Sequence, residues 1–280
     1  MDRKPALTKR IPIAIIGLGA AGHSLALRLC EAGFRRLVLV GRSRAAERKL
    51  AREVHAEFVT NSVHLQRFQG IIILAVGDSR IRDAVRELAR LPLDWPGITV
   101  FHTSGVQDAS ILRSLAGQGA GVAAWHPYQT FPKASREAAR LEGVTFGIDG
   151  NPRGVRVAFR LARALGGKPV RIPAEMRVLY HASAVFASGF VAANLAAAVE
   201  ILKKVGLSEK RAREAAFAIA HETLDNAERL GPRKAMTGPA VRGDGKTIRK
   251  HFLALEKAMP ELARMYEIIG KRYSVRSRNR

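Results

Sequence analysis

The sequence predicts an α/β protein with a Rossmann-type, doubly wound and mainly parallel sheet, followed by an all-helical C-terminal domain. Three observations carry this. Short apolar runs alternate with helical patterns over the first 172 residues, as successive βαβ units require. The first run, Ile13-Ala14-Ile15-Ile16, stops at Gly17-x-Gly19-x-x-Gly22 and opens onto an apolar helical pattern at Leu25, Leu27, Leu29 and Cys30. After Pro173 the alternation ends and Ala-rich helical sequence takes over. Two domains are therefore expected, 1–172 and 173–280.

Each element has its own signal. In the glycine turn, Gly17 serves the tight turn, Gly19 close approach to a pyrophosphate, and Gly22 helix–strand packing. Phosphates would rest on unpaired N–H groups at the positive helix end, so Gly17, Gly19, Ala20, Ala21 and Gly22 form a candidate cofactor cradle. Val76 and Gly77, at a later strand end, complete it. A second strand, 37–40, ends in Gly41-Arg42-Ser43-Arg44, where an NAD-binding domain would place an acid. No acid stands between Glu31 and Glu47. Arg42, Ser43 and Arg44 instead suit a 2′-phosphate, which guanidinium binds bidentately, so NADP(H) is the expected cofactor.

The pattern continues with a helix at 45–55, a strand at 70–76, and a helix at 81–91 capped by Asp78 or Ser79. Strands follow at 98–102, 122–125 and 144–148, then a helix at 152–165 and a short strand at 170–172. Beyond Pro173 a long helix, 174–205, ends at Gly206. Ser208 caps a second helix that stops at Gly231-Pro232. A glycine-rich loop, 237–245, precedes helices near 247–257, with Thr247 as cap, and 260–271.

Composition bounds the function. The 280 residues include 47 Lys and Arg against 24 Asp and Glu, a formal charge of +23. Such a field attracts phosphorylated ligands, nucleic acid or anionic membrane. The basic residues are spread over helical segments, with one cluster in the tail from Lys271 to Arg280, so specific nucleic-acid binding is not expected. The single cysteine, Cys30, fits a reducing compartment. No run is read as a membrane helix, and a cytoplasmic protein is expected.

Ligands of open α/β sheets bind beyond the carboxyl ends of the strands. There the sequence places His102 and Ser104, then His126 with Tyr128 and Gln129. Hydride transfer to a carbonyl or imine must be matched by a proton, and imidazole is suited to supply it. His126 is the candidate acid/base and Ser104 a hydrogen-bond partner for substrate or nicotinamide. His102 lies within its strand pattern, where it would face the core. Tyr180, His181, Ser183 and Ser188 lie on the first half of the long helix, where His181 and Ser188, seven residues apart, can face one cleft; a solvated helix face would give the same pattern. Arg242, in the glycine-rich loop, could clamp a carboxylate. The catalytic set is thus His126, Ser104 and His181, the substrate-binding pair Ser188 and Arg242, and the substrate small and anionic. No metal site is expected.

Six stretches resemble a bacterial oxidoreductase family that pairs a Rossmann-like domain with a helical C-terminal domain of unassigned function. They are Gly17–Gly22, Val76-Gly77-Asp78, His102-Thr103-Ser104-Gly105, His126-Pro127-Tyr128-Gln129-Thr130-Phe131, Tyr180-His181-Ala182, and Thr237-Gly238-Pro239 through Asp244. That family is similar to pyrroline-5-carboxylate reductases and to the 6-phosphogluconate dehydrogenase-like superfamily. The resemblance implies NADP(H), a homodimer through the helical domains, and an active site between domains. Gly189 stands where the family often has Asn, and the Lys-x-x-x-Asn pair of β-hydroxyacid dehydrogenases is not evident. Ser188-Gly189 is similar to the Ser-Gly step of pyrroline-5-carboxylate reductases. The spacing of Ser104 from His126 resembles prephenate dehydrogenases. An NADP(H)-dependent oxidoreductase acting on a small carboxylated carbonyl, imine or hydroxy compound is the expected function. The alternatives are a dinucleotide-binding sensor without turnover and a prephenate-dehydrogenase-like enzyme.

Overall fold

Eight strands pair into one sheet in the order β3-β2-β1-β4-β5-β6-β7-β8. The computed structural model describes residues 7–42, 44–131 and 138–272. The strands are β1 (Ile13–Ile16), β2 (Leu37–Val40), β3 (Glu57–Val59), β4 (Gly70–Leu74), β5 (Ile98–His102), β6 (Gly121–Pro127), β7 (Thr145–Gly150) and β8 (Lys168–Arg171). All neighbours run parallel except β6 and β7, which are antiparallel with His126 opposite Gly147. Strand β3 and a one-turn helix α4 (Arg113–Gly117) were not legible in the sequence; three residues, of which only Val59 is buried, make too short a pattern for β3.

The unbroken apolar runs of β1 and β4 follow from burial on both sheet faces. Successive side chains point to opposite faces, so Ile13, Ile15, Ile71 and Ile73 join one core, while Ala14, Ile72 and Leu74 join the other. Helices α1 (Ala20–Glu31) and α5 (Pro152–Ala164) cover the first core through Leu25, Leu29, Ala158 and Leu161. Helix α3 (Asp78–Ala89) covers the second through Ile81, Val85 and Leu88. Its N-cap is Gly77, not Asp78 or Ser79, and no side chain caps it. Helix α2 (Ala45–Glu53) packs Leu50 and Ala51 inward.

The helix after Pro173 is interrupted. A 3₁₀ turn leads into α6 (Arg177–Ala187), the backbone breaks at Ser188 (φ −132°, ψ −74°), and α7 (Gly189–Lys204) follows. Compact units meet at this break: one ends at Ser188 and the other begins at Gly189, later than the expected boundary at 173. The span Ala174–Lys204, with mean hydropathy 1.8 in its most apolar window, is long and apolar enough to cross a membrane by length and composition. This corrects the reading that no run reaches that length.

The second unit comprises α7, α8 (Glu209–Leu230), α9 (Pro232–Ala235), α10 (Pro239–Arg242), α11 (Gly245–Ala258) and α12 (Pro260–Arg272). Ser208 caps α8 by accepting from the Arg211 amide, as expected. Asp244 caps α11 instead of Thr247, whose amide donates to the Asp244 carboxylate at 3.0 Å. Its buried core is small, centred on Val199, Ala212 and Ala216.

Candidate functional site

Two clusters of chemistry lie at strand ends of the first unit. The first is a cleft of about 740 Å³ lined by residues that follow β1, β2, β3 and β4, among them Gly17, Gly19, Arg42, Arg44, Val76 and Gly77. Neighbouring β1 and β4 mark where strand order reverses, the usual position of a nucleotide crevice. Gly17 holds φ +95°, and a Cβ on Gly22 would collide with the Gly17 carbonyl oxygen, so this turn is available only to glycine. Nothing lies within 4 Å of where a Cβ on Gly19 would point. Gly19 is the N-cap of α1, with no side-chain cap and no acid in the first turn. Ala20 and Ala21 form that turn. A pyrophosphate fits these open amides on both steric and electrostatic grounds.

The loop after β2 holds an acid that the sequence did not place there. Glu47, one turn into α2, folds back so that Oε2 accepts from the backbone amides of Arg42 (2.7 Å) and Arg44 (3.1 Å). Reaching back from the third helical position toward the N-cap is capping-box geometry, and the interval to Glu47 is the signal that could have found it. Arg42 and Arg44 are exposed, and Ser43 lies outside the described residues.

The second cluster gathers at the ends of β5 and β6 and on α6. His126 Nδ1 stands 3.2 Å from the Tyr180 hydroxyl. The His126 and His181 rings meet edge to face, with centroids 5.7 Å apart. Two glycines make the space. A Cβ on Gly105 would stand 2.5 Å from His181 Nδ1 and 2.9 Å from His126 Nε2, and one on Gly147 would press on the Tyr180 phenol. Antiparallel β7 presents Gly147 opposite His126, which opens that seat for Tyr180. Nearby, the Tyr128 and Ser183 hydroxyls are 3.1 Å apart.

Beneath the imidazoles lies Arg177, fully buried, a residue the sequence reading missed. It pairs with Asp149 at 2.7 Å and donates to the Ser104 carbonyl at 2.8 Å. Asp149 in turn accepts from the Ala109 amide at 2.8 Å. The group thus ties the loop after β5 to β7 and α6. A usable signal existed: Arg177 is the sole Lys or Arg between Arg171 and Lys203 in an otherwise basic chain.

Burial and this guanidinium set the protonation states. His126 is lowered to about 3, mainly by burial and then by Arg177, His181 and His102. His102, fully buried at the end of β5 as expected, falls to about 4, again mainly by burial, although the Asp108 carbonyl bonded to Nε2 opposes this. Burial raises Tyr180 to about 12. Burial also raises Asp149, against the Ala109 amide and Arg177. The buried nitrogens His102 Nδ1, His181 Nδ1 and Arg177 Nε have no hydrogen-bond partner among the described residues. A neutral imidazole accepts protons but is no standing acid. Proton delivery from His126 therefore requires a bound negative charge to raise it first.

Of the remaining expected site residues, Ser104 and Ser188 are bonded within their own segments and Arg242 lies in the second unit. The Ser104 hydroxyl accepts from the Val106 and Gln107 amides (3.2 and 3.0 Å), closing its own loop, and it is buried. Ser188 donates to the Ala184 carbonyl at 2.6 Å beside the helix break. Arg242 ends α10 in the second unit. Among the described residues no group of three or more His, Cys, Asp or Glu is placed to hold a metal.

Residues 3–127 match the Rossmann-like domain model, and residues 144–273 match a domain of unknown function, DUF2520. The chain joins a Rossmann-like domain to a DUF2520 domain. The DUF2520 match begins before β7, so Asp149, Arg177, Tyr180 and His181 belong to it, while Ser104 and His126 belong to the Rossmann-like match. Both groups nevertheless sit in one compact unit. No curated protein matches the chain. Among solved structures, one from Bacteroides fragilis, provisionally named an NADP oxidoreductase, is 25% identical with TM-score 0.79, over 95% of this chain and 98% of that one. A Thermotoga maritima protein is 22% identical with TM-score 0.73, over 96% and 100%. A Plasmodium falciparum pyrroline carboxylate reductase with NADP bound shares the fold at 13% identity and TM-score 0.65, over 94% and 100%.

Proposed function

We propose that the chain is an NADP(H)-dependent oxidoreductase acting on a small carboxylated carbonyl, imine or hydroxy compound. The cleft over Gly17, Gly19, Val76 and Gly77, flanked by Arg42 and Arg44, carries the reading. The 25% identical NADP oxidoreductase-like relative supports it. Bound NADPH would supply a hydride. The α1 amides would hold its pyrophosphate, and Arg42, Arg44 and Ser43 its 2′-phosphate. His126 would handle the substrate proton, with Tyr180 fixing its ring and His181 beside it. An anionic substrate suits a cluster in which His126 is kept neutral, mainly by burial, next to the positive charge of Arg177.

The test is a fluorescence titration with NADPH, followed by NADPH oxidation assays across carboxylated ketones and cyclic imines. Tight binding with turnover is expected. Absence of NADPH binding overturns the reading, and binding without turnover on any substrate class would favour a sensor.

A cytoplasmic homodimer through the helical unit is part of the proposal. Exposed Val205, Phe217, Ile219 and Ile268 in that unit, together with its small core, support burial against a second copy. Sedimentation should give a dimer without detergent; a species soluble only with detergent would instead assign Ala174–Lys204 to a membrane.

A further inference from the structure

The loop after β2 presents a cation pair and a carboxylate to the same cleft. Arg42, Arg44 and Glu47 all line it, and Glu47 Oε2 already occupies the amides of Arg42 and Arg44. These are among the donors that a group on the ribose 2′-position would use in a loop of this kind. The carboxylate also stands 2.8 Å from where a Cβ on Gly41 would be, so glycine at 41 is what lets it come so close to the strand end. A ribose 2′-hydroxyl can donate to this carboxylate. A 2′-phosphate, carrying up to two negative charges, is drawn by the guanidiniums but meets Glu47 as a like charge.

Resting on the cofactor reading above, we infer that Glu47 determines dinucleotide selectivity by opposing Arg42 and Arg44. It holds NADH binding within reach of NADPH binding and makes the protein less selective for the 2′-phosphate than its arginines alone would dictate. The effect resides in charge, because the acid meets the loop amides through an oxygen that a neutral amide side chain also provides. Glutamine at 47 therefore preserves the capping geometry while removing the repulsion.

The experiment measures dissociation constants of the full-length protein for NADPH, NADH, 2′,5′-ADP and 5′-AMP, in wild type and Glu47→Gln, at low and high salt. Wild type should bind both NADPH and NADH. Glu47→Gln should tighten NADPH and 2′,5′-ADP about five- to tenfold, the scale of one close charge near a protein surface. NADH and 5′-AMP should not tighten, because their 2′-hydroxyl loses a carboxylate acceptor, and the gain for NADPH should shrink at high salt. An unchanged NADPH-to-NADH ratio overturns the inference, as does equal weakening of all four ligands, which would make Glu47 a helix cap only. Failure of wild type to bind either dinucleotide would instead overturn the cofactor reading. Glu47→Ala, which removes both charge and cap, separates these effects: it should lower thermal stability, whereas Glu47→Gln should hold it near wild type.

Discussion

The glycine cleft and the imidazole cluster occupy neighbouring strand ends of one sheet but are built on opposite principles. In the cleft the recognition groups are backbone amides. Side chains contribute by being absent at Gly17, Gly19 and Gly22, and the charges stand at an exposed rim. In the cluster the working groups are half-buried side chains above a fully buried guanidinium with a carboxylate partner, and His126 is held neutral by burial and then by that guanidinium. A backbone site tolerates any residue that leaves the turn open. A buried polar site depends on every partner at once, because removing one leaves another unsatisfied.

Substitutions can separate the two. Gly22→Val drives a side chain into the Gly17 carbonyl and should abolish NADPH binding, read by fluorescence titration, while the His126–Tyr180 contact survives in NMR spectra of the ring protons. Loss of both would show that the regions are not independent. His126→Ala should lower turnover by about 10²- to 10⁴-fold, the range of general acid–base catalysis, with the NADPH dissociation constant unchanged. Undiminished turnover removes His126 from the chemistry.

Arg177→Met strands Asp149 beneath the cluster and should cost about 3–5 kcal/mol in urea unfolding. Adding Asp149→Asn should recover part of that loss. Recovery to nothing better than the single variant would mean that the bonds to the Ser104 and Gly147 carbonyls, not the ion pair, matter most.

A smaller effect tests the buried imidazoles directly. His102 and His126 bind protons more weakly folded, at about 4 and about 3, than unfolded, near 6.5. Their contribution to stability is therefore complete above pH 6.5 and declines as pH falls toward 4, where the unfolded chain takes up protons that the folded chain refuses. The raised carboxyl of Asp149 works the other way at the acid end of that window. Thermal melts from pH 7.5 to 4.5 should show the decline, and His126→Asn should flatten it. A slope unchanged by that variant would place the sensitivity elsewhere.

The cleft was legible because its requirements are local. Apolar runs buried on both faces, a glycine turn and an amphipathic helix each leave a short-range pattern, and β1, β2 and β5 fall where the sequence put them. The cluster was legible only in its histidines. Arg177 meets Ser104 across 73 residues and Tyr180 meets His126 across 54. No periodicity encodes such pairings. The role of Ser104 in its own loop was illegible for a related reason: its hydroxyl oxygen accepts from two amides just downstream, which leaves only the O–H to donate to a ligand. Glu47 was dismissed by counting positions along the chain, whereas one helical turn returns it to the loop.

The antiparallel strand β7 carries a consequence for how such proteins can be recombined. It is the first element of the C-terminal module, yet it completes the sheet of the N-terminal one. Exchanging the module onto another Rossmann half would carry Asp149, Arg177, Tyr180 and His181 across together and leave Ser104 and His126 behind. The hybrid would inherit a buried cation in search of a carbonyl and a phenol in search of an imidazole. A working exchange would therefore need matching partners in both halves, even though each is recognisable alone.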